Sequence, residues 1–170
     1  MVVLSGKEFN EKYKGKKFVK IINDEQKHHE FVYKEGLNVD TNEFNPNGIC
    51  SEGGLYFTNE EHILDFVSFG ENVWKVEIPS DARIYEEEKK YKADKIIISE
   101  PRKISYVDYL RKVELHEIGI QYVPDKFKTK EMCEKVVEQY AHDIRFVPDE
   151  LKTNELCEMA VEQSGHAVKQ

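Results

Sequence analysis

The stretch Ile120-Gln-Tyr-Val-Pro-Asp-Lys-Phe-Lys-Thr-Lys-Glu-Met-Cys-Glu-Lys-Val-Val-Glu-Gln139 returns 24 residues later as Ile144-Arg-Phe-Val-Pro-Asp-Glu-Leu-Lys-Thr-Asn-Glu-Leu-Cys-Glu-Met-Ala-Val-Glu-Gln163. Thirteen of the 24 positions aligned from residue 120 are identical, and other pairs exchange residues of like size, such as Tyr122 for Phe146. Self-similarity at a fixed period is typical of proteins built from stacked copies of one small unit. The tail of the chain is therefore predicted to be a structural repeat.

Each copy of the repeat carries the signals of a helix start. Pro124-Asp125 is typical of a turn, and Thr129 is placed to accept backbone N–H bonds as an N-cap. Glu131 would lie in the first turn, near the positive end of the helix dipole. A helix is therefore predicted to begin near residue 129. Its apolar residues fall on one side, as in an amphipathic helix: Met132, Cys133, Val136, Val137 and Tyr140.

A single unit of this size is too small to bury its apolar face, so neighbouring units must stack. A short second helix is expected at residues 142–147, and residues 105–119 resemble a degenerate first unit that begins with Ser105 as a cap. The prediction is a solenoid-like α-helical tail over residues 104–170, with units at about 104–119, 120–143 and 144–167. Residues 167–170 align with the start of a further unit, which indicates an incomplete last unit or a piece of a longer protein.

The first part of the chain, residues 1–103, does not repeat and is predicted to be a separate α+β domain. Its β-structure is expected to be a small mixed or antiparallel sheet of about six short strands, with a hairpin formed by the first two. Gly53 and Gly54 indicate a tight or positive-φ backbone before one strand. One main helix is predicted over residues 59–70, capped by Thr58 or Asn59 and stopped by Gly70. The predicted strands are 18–22, 31–33, 55–57, 72–79, 82–85 and 95–98.

Composition excludes several classes of partner. The chain has 170 residues, a formal net charge of −8 and a pI near 5.3, which disfavours nucleic acid and anionic membranes as partners. The basic run at residues 12–17 is interpreted as a solvated surface. No stretch approaches the ~18 apolar residues that a membrane-spanning helix needs, and the start of the chain is too short to act as a signal-peptide core. The protein is expected to be intracellular.

The three cysteines are expected to be free thiols, because Cys133 and Cys157 are copies of one buried helical position and Cys50 has no evident mate. A zinc site that combines cysteines with His142 and His166 is an alternative, but the spacing matches no ligand motif and the repeat accounts for both pairs. No metal and no cofactor are expected.

The repeated pattern Val-Pro-Asp-x-x-Lys-Thr-x-Glu-x-Cys-Glu-x-x-Val-Glu-Gln, at residues 123–139 and 147–163, resembles short helical repeats of giant-virus proteins of the mimivirus type. The preceding region resembles the N-terminal domain that such proteins often carry. The resemblance implies a giant-virus origin, in the host cytoplasm, the viral factory or the virion, and implies no assigned reaction. The segments that carry it are Gly36-Leu-Asn-Val-Asp40, Phe44-Asn-Pro46, Gly53-Gly-Leu-Tyr-Phe57, Ile78-Pro79, Ala82 and Lys92-Ala-Asp-Lys95.

The succession of Gly54-Leu-Tyr-Phe57, a helix and an alternating strand at residues 72–79 is similar to the centre of the ADP-ribosyltransferase fold of the poly(ADP-ribose) polymerase type. That resemblance implies that Tyr56 would stack on nicotinamide and that Asp94 would replace the late catalytic glutamate. The family's early His-Gly pair is absent, since neither His28 nor His29 has that context, and both are expected to be solvent-exposed. A shortened carboxylate and a missing His imply an inactive or repurposed transferase. The alternative is that Tyr56 is a core residue and Asp94 only opens a strand.

The favoured hypothesis is a non-enzymatic protein-interaction module whose repeat surface binds a viral or host protein through residues such as Lys130, Glu134 and Lys135. No other catalytic motif is present in the sequence. Two alternatives stay open. One is an active or degenerate ADP-ribosyltransferase-like, NAD-binding enzyme that uses Tyr56, and the other is a structural component of the virion. The sequence indicates no oligomeric state.

Overall fold

The computed structural model describes residues 3–28, 30–47 and 51–167, and the side chains of these ranges up to residue 164. Contacts within the chain divide it into two compact units, Met1–Ile104 and Ser105–Gln170. That each unit folds as an independent domain stays a prediction. The two units are described in turn.

Unit 1 is dominated by β-structure, although its strands are short and come from many parts of the sequence. Eight strands form one antiparallel sheet in the order β1-β8-β9-β6-β2-β7-β10-β5, and β3 pairs with β4 separately. The strands are β1 (Val3–Ser5), β2 (Phe18–Ile22), β3 (Lys27–His28), β4 (Phe31–Val32), β5 (Gly36–Val39), β6 (Leu55–Asn59), β7 (Asn72–Glu77), β8 (Arg83–Glu86), β9 (Tyr91–Ala93) and β10 (Lys95–Lys103).

Helix α1 (Gly6–Lys12) supplies the centre of the apolar core of unit 1. Ser5 caps it through a reciprocal capping box with Glu8, which satisfies backbone donors at its start. Its Phe9 is fully buried, and the Phe9 ring lies 4.9 Å from the ring of Phe18 and 5.2 Å from that of Tyr91. Tilted and edge-on contacts of this kind add to the free energy gained by burying the rings. The aromatic cluster therefore fastens α1 to the sheet.

The sheet is weakly joined in its middle, between β2 and β6. Strand β2 pairs with β7 along all of its five residues, but with β6 only at Phe18 opposite Asn59 and Val19 opposite Thr58. Beyond these two positions the strands no longer form a ladder. The separation leaves space between the two halves of the sheet, and the candidate site lies there.

The predicted fold class is wrong for this unit. In place of a small sheet of about six strands, unit 1 contains a large antiparallel sheet of eight strands. The predicted hairpin of residues 18–22 and 31–33 does not form, because β2 pairs with the distant strands β6 and β7. The predicted main helix is a 3-10 helix, Glu60–Phe69, although Asn59 caps it and Gly70 ends it as expected.

The described part of unit 2 contains three α-helices, and two short 3-10 helices lie in each of the two connections between them. Both predicted helix starts of the repeat are confirmed, since the Thr129 and Thr153 hydroxyls each accept a 3.2 Å hydrogen bond from the backbone N–H three residues on. The α-helices are α2 (Tyr106–Glu114), α3 (Lys130–Gln139) and α4 (Asn154–Ala167), and the 3-10 helices are Ile120–Tyr122, Asp125–Phe127, Ala141–Phe146 and Asp149–Leu151.

The predicted solenoid tail is also wrong. Units of a stack would bury equivalent residues alike, whereas Cys133 is fully buried and Cys157 is exposed. Likewise Val137 is fully buried and its copy Val161 is 71% exposed. The repeated sequence therefore produces similar local helices, but the described part of unit 2 is a small cluster of helices and turns. The burial of each copy of the repeat depends on the segments that pack against it, and the sequence of the copy does not specify those segments.

Candidate functional site

A cleft of about 630 Å³ opens in unit 1 where β2 and β6 separate. The surface of its walls is mainly apolar, with six aromatic side chains and a few polar groups that converge on the same space. Pockets of this size and character are the usual form of small-molecule sites. The aromatic side chains are Phe31, Tyr33, Tyr56, Phe57, Phe66 and Phe69, and the ionisable ones are Lys20, His28, Glu30, Asp40, Glu52 and Lys90.

Two glycines shape one edge of the cleft. Gly53 has a φ of +81° and Gly54 a φ of +140°, so the expected positive-φ backbone is confirmed. A Cβ at Gly53 would lie 2.2 Å from the Glu43 carbonyl oxygen, and one at Gly54 would lie 2.6 Å from Cγ of Lys92. The N–H of Gly54 donates a 2.6 Å hydrogen bond to Asp40. The glycines thus let the backbone approach its neighbours closely before β6 begins.

Tyr56, the residue that sequence comparison singled out, lies on the wall of this cleft and is partly exposed. Its position in β6 is opposite Lys92 of β9. The ammonium groups of Lys90 and Lys92 lie 4.5 Å and 5.2 Å from the centre of the Tyr56 ring. Cations at these distances interact favourably with an aromatic ring. The ring is thereby held in a defined place beside the cleft.

Asp94 does not lie in the wall of the cleft with Tyr56. It precedes β10, and its carboxylate accepts hydrogen bonds of 2.9 Å from the backbone N–H and from Nε of Arg83. The structure therefore places the Asp94 carboxylate against Arg83 of β8, away from the residues that line the cleft. The residue in register with Tyr56 is a lysine, Lys92.

His28 was expected to be solvent-exposed, yet it is partly buried and lines the cleft. Its ring lies 5.0 Å from the ring of Phe69, close to edge-on. The separate β3–β4 ribbon brings it there, and this pairing was not predicted. His29 lies outside the described residues.

Lys20 is the functional candidate that sequence reasoning missed. Every residue of β2 is buried, and Lys20 is only 3% exposed although it lines the cleft. Its Nζ donates a 2.6 Å hydrogen bond to the Tyr56 carbonyl oxygen of β6, beyond the two positions at which β2 and β6 pair. Nζ also lies 4.3 Å from the centre of the Tyr33 ring. The signal that could have revealed it is a lysine inside the apolar strand Phe18-Val-Lys-Ile-Ile22.

Burial lowers the pKa of Lys20 to about 7, because a charged ammonium group loses its hydration there. The Tyr33 ring favours the charged form, but desolvation is the larger effect. Burial raises the pKa of Tyr33 well above its usual value, with the negative charge of Asp40 as the second cause. The cleft therefore holds a lysine that is partly neutral at neutral pH beside a phenol that stays protonated.

A second buried lysine, Lys92, fixes the loop before β6. It is fully buried, and its Nζ donates to the carbonyl oxygens of Asn45 and Glu52 and to the Ser51 hydroxyl at 2.8–3.1 Å. Three acceptors compensate the loss of hydration of a buried ammonium group. Ser51 and Glu52 line the cleft, so Lys92 holds one of its rims in place.

In unit 2, the predicted partner-binding residues Lys130, Glu134 and Lys135 all take part in ion pairs. Lys130 lies 3.6 Å from Glu134 within α3. Lys135 pairs with Glu114 of α2 at 2.6 Å and with Glu131 at 3.1 Å, and these bonds raise the pKa of Lys135. Such exposed pairs add little to stability, because water and salt screen the two charges. These side chains are accessible, but Lys135 also links two helices.

Unit 2 exposes large apolar side chains as well as the charged residues that were predicted to bind a partner. Tyr122 is 72% exposed and Val161 is 71% exposed. Exposed aromatic residues of this kind are enriched at protein interfaces. The exposed large apolar residues of the described part of unit 2 are Tyr106, Val107, Leu115, Tyr122, Tyr140 and Val161.

Two general features of the described ranges bear on metal and membrane binding. No cluster of three or more His, Cys, Asp or Glu side chains within them is arranged to hold a metal ion. Cys133 and Cys157 are free thiols, whereas Cys50 and the side chain of His166 lie outside the description. No described helix is both long and apolar enough to cross a membrane.

Comparison with known proteins finds relatives in a giant virus. One protein of Acanthamoeba polyphaga mimivirus, named for ankyrin repeats, is 32% identical over 108 residues, which are 60% of this chain and 32% of the relative. A second, also named for ankyrin repeats, is 41% identical over 68 residues, which are 39% of this chain and 34% of the relative. An uncharacterised protein of the same virus is 38% identical over 68 residues, covering 39% of this chain and 49% of the relative.

The relatives are giant-virus proteins. This supports a giant-virus origin for the chain, which spans about a third to a half of the length of these curated relatives. No family model matches the chain, and no solved structure matches it. The comparisons thus agree with the predicted origin and do not support the predicted family architecture of an α+β domain followed by helical repeats.

Proposed function

We propose that this chain is a non-enzymatic protein-interaction module of a giant virus, which binds a viral or host protein through unit 2. The observation that carries the proposal is the concentration of exposed large apolar side chains there, with Tyr122 and Val161 more than 70% exposed. Relatives that are named for ankyrin repeats support it, because ankyrin repeats form extended binding surfaces.

The roles of individual side chains follow from their chemistry. Tyr122, Tyr140 and Val161 would be buried by the partner and would supply most of the affinity, as aromatic anchors do in protein interfaces. Lys130 and Glu134 would lie at the polar rim, where charges affect the association rate more than the affinity. Lys135 would contribute less, since it is already paired with Glu114.

The test is affinity capture with the full chain from infected cells, followed by a Kd measurement with the purified partner. Val161→Ser and Tyr122→Ser are expected to weaken binding at least about tenfold each, as for anchor residues. Val32→Ser in unit 1 is the matched control, because Val32 is 63% exposed and lies outside the proposed surface. Equal binding by all three variants would disprove the proposal. A partner that occurs in purified virions would favour the structural role in the particle.

A second candidate function is supported by the position of Tyr56 on the wall of an aromatic cleft. In this proposal the cleft binds a nicotinamide nucleotide without transferring ADP-ribose, since Asp94 is engaged with Arg83 and Lys92 is in register with Tyr56. Titration of the protein with NAD is expected to give saturable binding that Tyr56→Ala weakens. Tyr122→Ala, which removes an exposed tyrosine of unit 2, is the control.

Incubation with labelled NAD separates binding from catalysis. Binding without incorporation of label is the expected result. Incorporation that depends on Tyr56 would show an active transferase instead, and the absence of saturable NAD binding would remove this second candidate altogether.

A further inference from the structure

Lys20 has the surroundings of a reactive amine rather than those of a surface lysine. It lies on the central strand β2, is 3% exposed, and belongs to the residues that line the cleft. Within the described ranges, one hydrogen-bond acceptor contacts its Nζ, the Tyr56 carbonyl oxygen at 2.6 Å. The other contact is the face of the Tyr33 ring, at 4.3 Å. No carboxylate of the described part of the chain forms an ion pair with the Lys20 amine, so loss of its proton breaks no such pair there.

A lysine amine is normally a weak nucleophile, because almost all of it is protonated at neutral pH. Desolvation in an apolar pocket lowers the pKa and frees the nitrogen lone pair, which is how enzymes prepare lysines for attack on carbonyl carbons. Burial has this effect on Lys20 and brings its pKa to about 7. A residue of this kind would be neutral in about half of the molecules at pH 7, against a few in ten thousand for an ordinary lysine.

We propose that Lys20 forms an imine with a flat aromatic aldehyde that enters the cleft. Aromatic side chains suit such a ligand, because the Tyr33 ring lies beside Lys20 and the side chains of Tyr56, Phe66 and Phe69 line the same cleft. The neutral amine adds to the carbonyl carbon, forming a C–N bond, and the carbonyl oxygen takes a proton to give a carbinolamine. Loss of water then gives the imine. The step needs no oxidant or reductant.

This site shares its cleft with the second candidate function but does not depend on it. Imine formation requires the Lys20 amine and space for the aldehyde beside it. Binding of a nicotinamide nucleotide requires the face of the Tyr56 ring and space for two phosphates. Binding of NAD and imine formation at Lys20 can therefore succeed or fail separately, and the two results identify which proposal has failed.

The experiment uses 2-hydroxybenzaldehyde as the probe. The full chain is incubated with it at pH 7, imines are trapped by reduction with borohydride, and each lysine is scored by peptide mass spectrometry. Lys20 is expected to be labelled at least on the order of tenfold faster than the average of the other lysines, because of its larger neutral fraction. Lys20→Arg, which keeps a cation but removes the nucleophile, is expected to lose this adduct and no other.

The measurement on the unaltered protein stays decisive even if the variant misfolds. Labelling of Lys20 at or below the rate of the surface lysines would overturn the proposal. So would a fast reaction that appears only in denaturant, because the folded cleft would then contribute nothing. A fast Lys20 adduct in a protein that does not bind NAD would support the proposal and remove the second candidate function.

Discussion

Cys133 and Cys157 occupy the same position of the repeated segment, 24 residues apart, yet the side chain of Cys133 is fully buried and that of Cys157 is exposed. Helix α3 is followed by a second copy of the repeat, and both the 3-10 helix Ala141–Phe146 and α4 pack against it. No third copy follows α4 within the described residues. The same local sequence therefore has an inner and an outer environment.

This asymmetry predicts different thiol reactivity. Treatment of the folded protein with N-ethylmaleimide is expected to alkylate Cys157 quickly and to leave Cys133 unmodified. Cys133 is inaccessible, and burial raises its pKa and so reduces the thiolate fraction. Peptide mass spectrometry scores each cysteine separately. In denaturant both are expected to react at similar rates, and equal reactivity in the folded protein would contradict the structure.

The two valines of the same repeat position predict unequal effects on stability. Val137→Ala is expected to lower the free energy of unfolding by about 2 kcal/mol, because it removes buried methyl groups and leaves a cavity. Val161→Ala makes the same chemical change at a 71% exposed position, where the loss should stay within about 0.5 kcal/mol. Urea unfolding measures both. Similar losses for the two variants would show that α4 is covered in solution.

Gly54, before β6, predicts a steric effect of substitution in addition to backbone strain. Gly54→Ala places a Cβ 2.6 Å from Cγ of Lys92, whose side chain is fully buried and held by three acceptors. Gly15→Ala is the control, since Gly15 also has a positive φ, +84°, but an added Cβ meets no atom within 4 Å. The control is expected to lower the free energy of unfolding by about 1–2 kcal/mol, from backbone strain alone. Gly54→Ala should lower the free energy of unfolding clearly more, as measured by thermal unfolding. Equal losses of stability in the two variants would disprove the close approach of Gly54 to the Lys92 side chain.

Lys20 predicts a dependence of stability on pH. Its pKa is about 7 in the folded protein and about 10.4 in an unfolded chain. Between these values the unfolded state binds more protons, so the free energy of unfolding rises with pH. Below pH 7 the folded protein carries the full cost of a buried ammonium group.

The variant Lys20→Met isolates this effect, because Tyr33 and Asp40 are present in both proteins. The free energy of unfolding of the wild type minus that of the variant is expected to rise by about 1 kcal/mol per pH unit between pH 7.5 and 9. Chemical denaturation at a series of pH values measures it. A difference that is constant or falls with pH would show that Lys20 has an ordinary pKa.

Much of the local structure followed from short-range chemistry. Thr129 and Thr153 cap helices, Asn59 caps the segment that follows it, and Gly53 has the positive φ that a glycine allows. Each of these depends on groups within a few residues of one another. The type of the segment 60–69 was not predicted, since a 3-10 helix and an α-helix share the same cap and stop signals.

The candidate site was predicted only in part. Tyr56 was singled out by resemblance and does line the cleft, but Asp94 does not, and Lys20 and Lys92 were missed. The cleft exists because β2 pairs with β6 at two positions and then leaves it, and that pairing joins residues about 40 positions apart. The sequence around Lys20 contains no local pattern that predicts the pairing of β2 with β6.

The amino-acid sequence by itself determined the repeat, the helix starts and the positions of most strands, because caps, turns and side-chain periodicity act within a few residues. Only the tertiary structure decided that eight strands form one antiparallel sheet, that Lys20 is buried at its split, and that Cys157 is exposed while Cys133 is not. The physical reason is that strand pairing and burial depend on contacts between distant segments, whose free energies no single stretch of sequence contains.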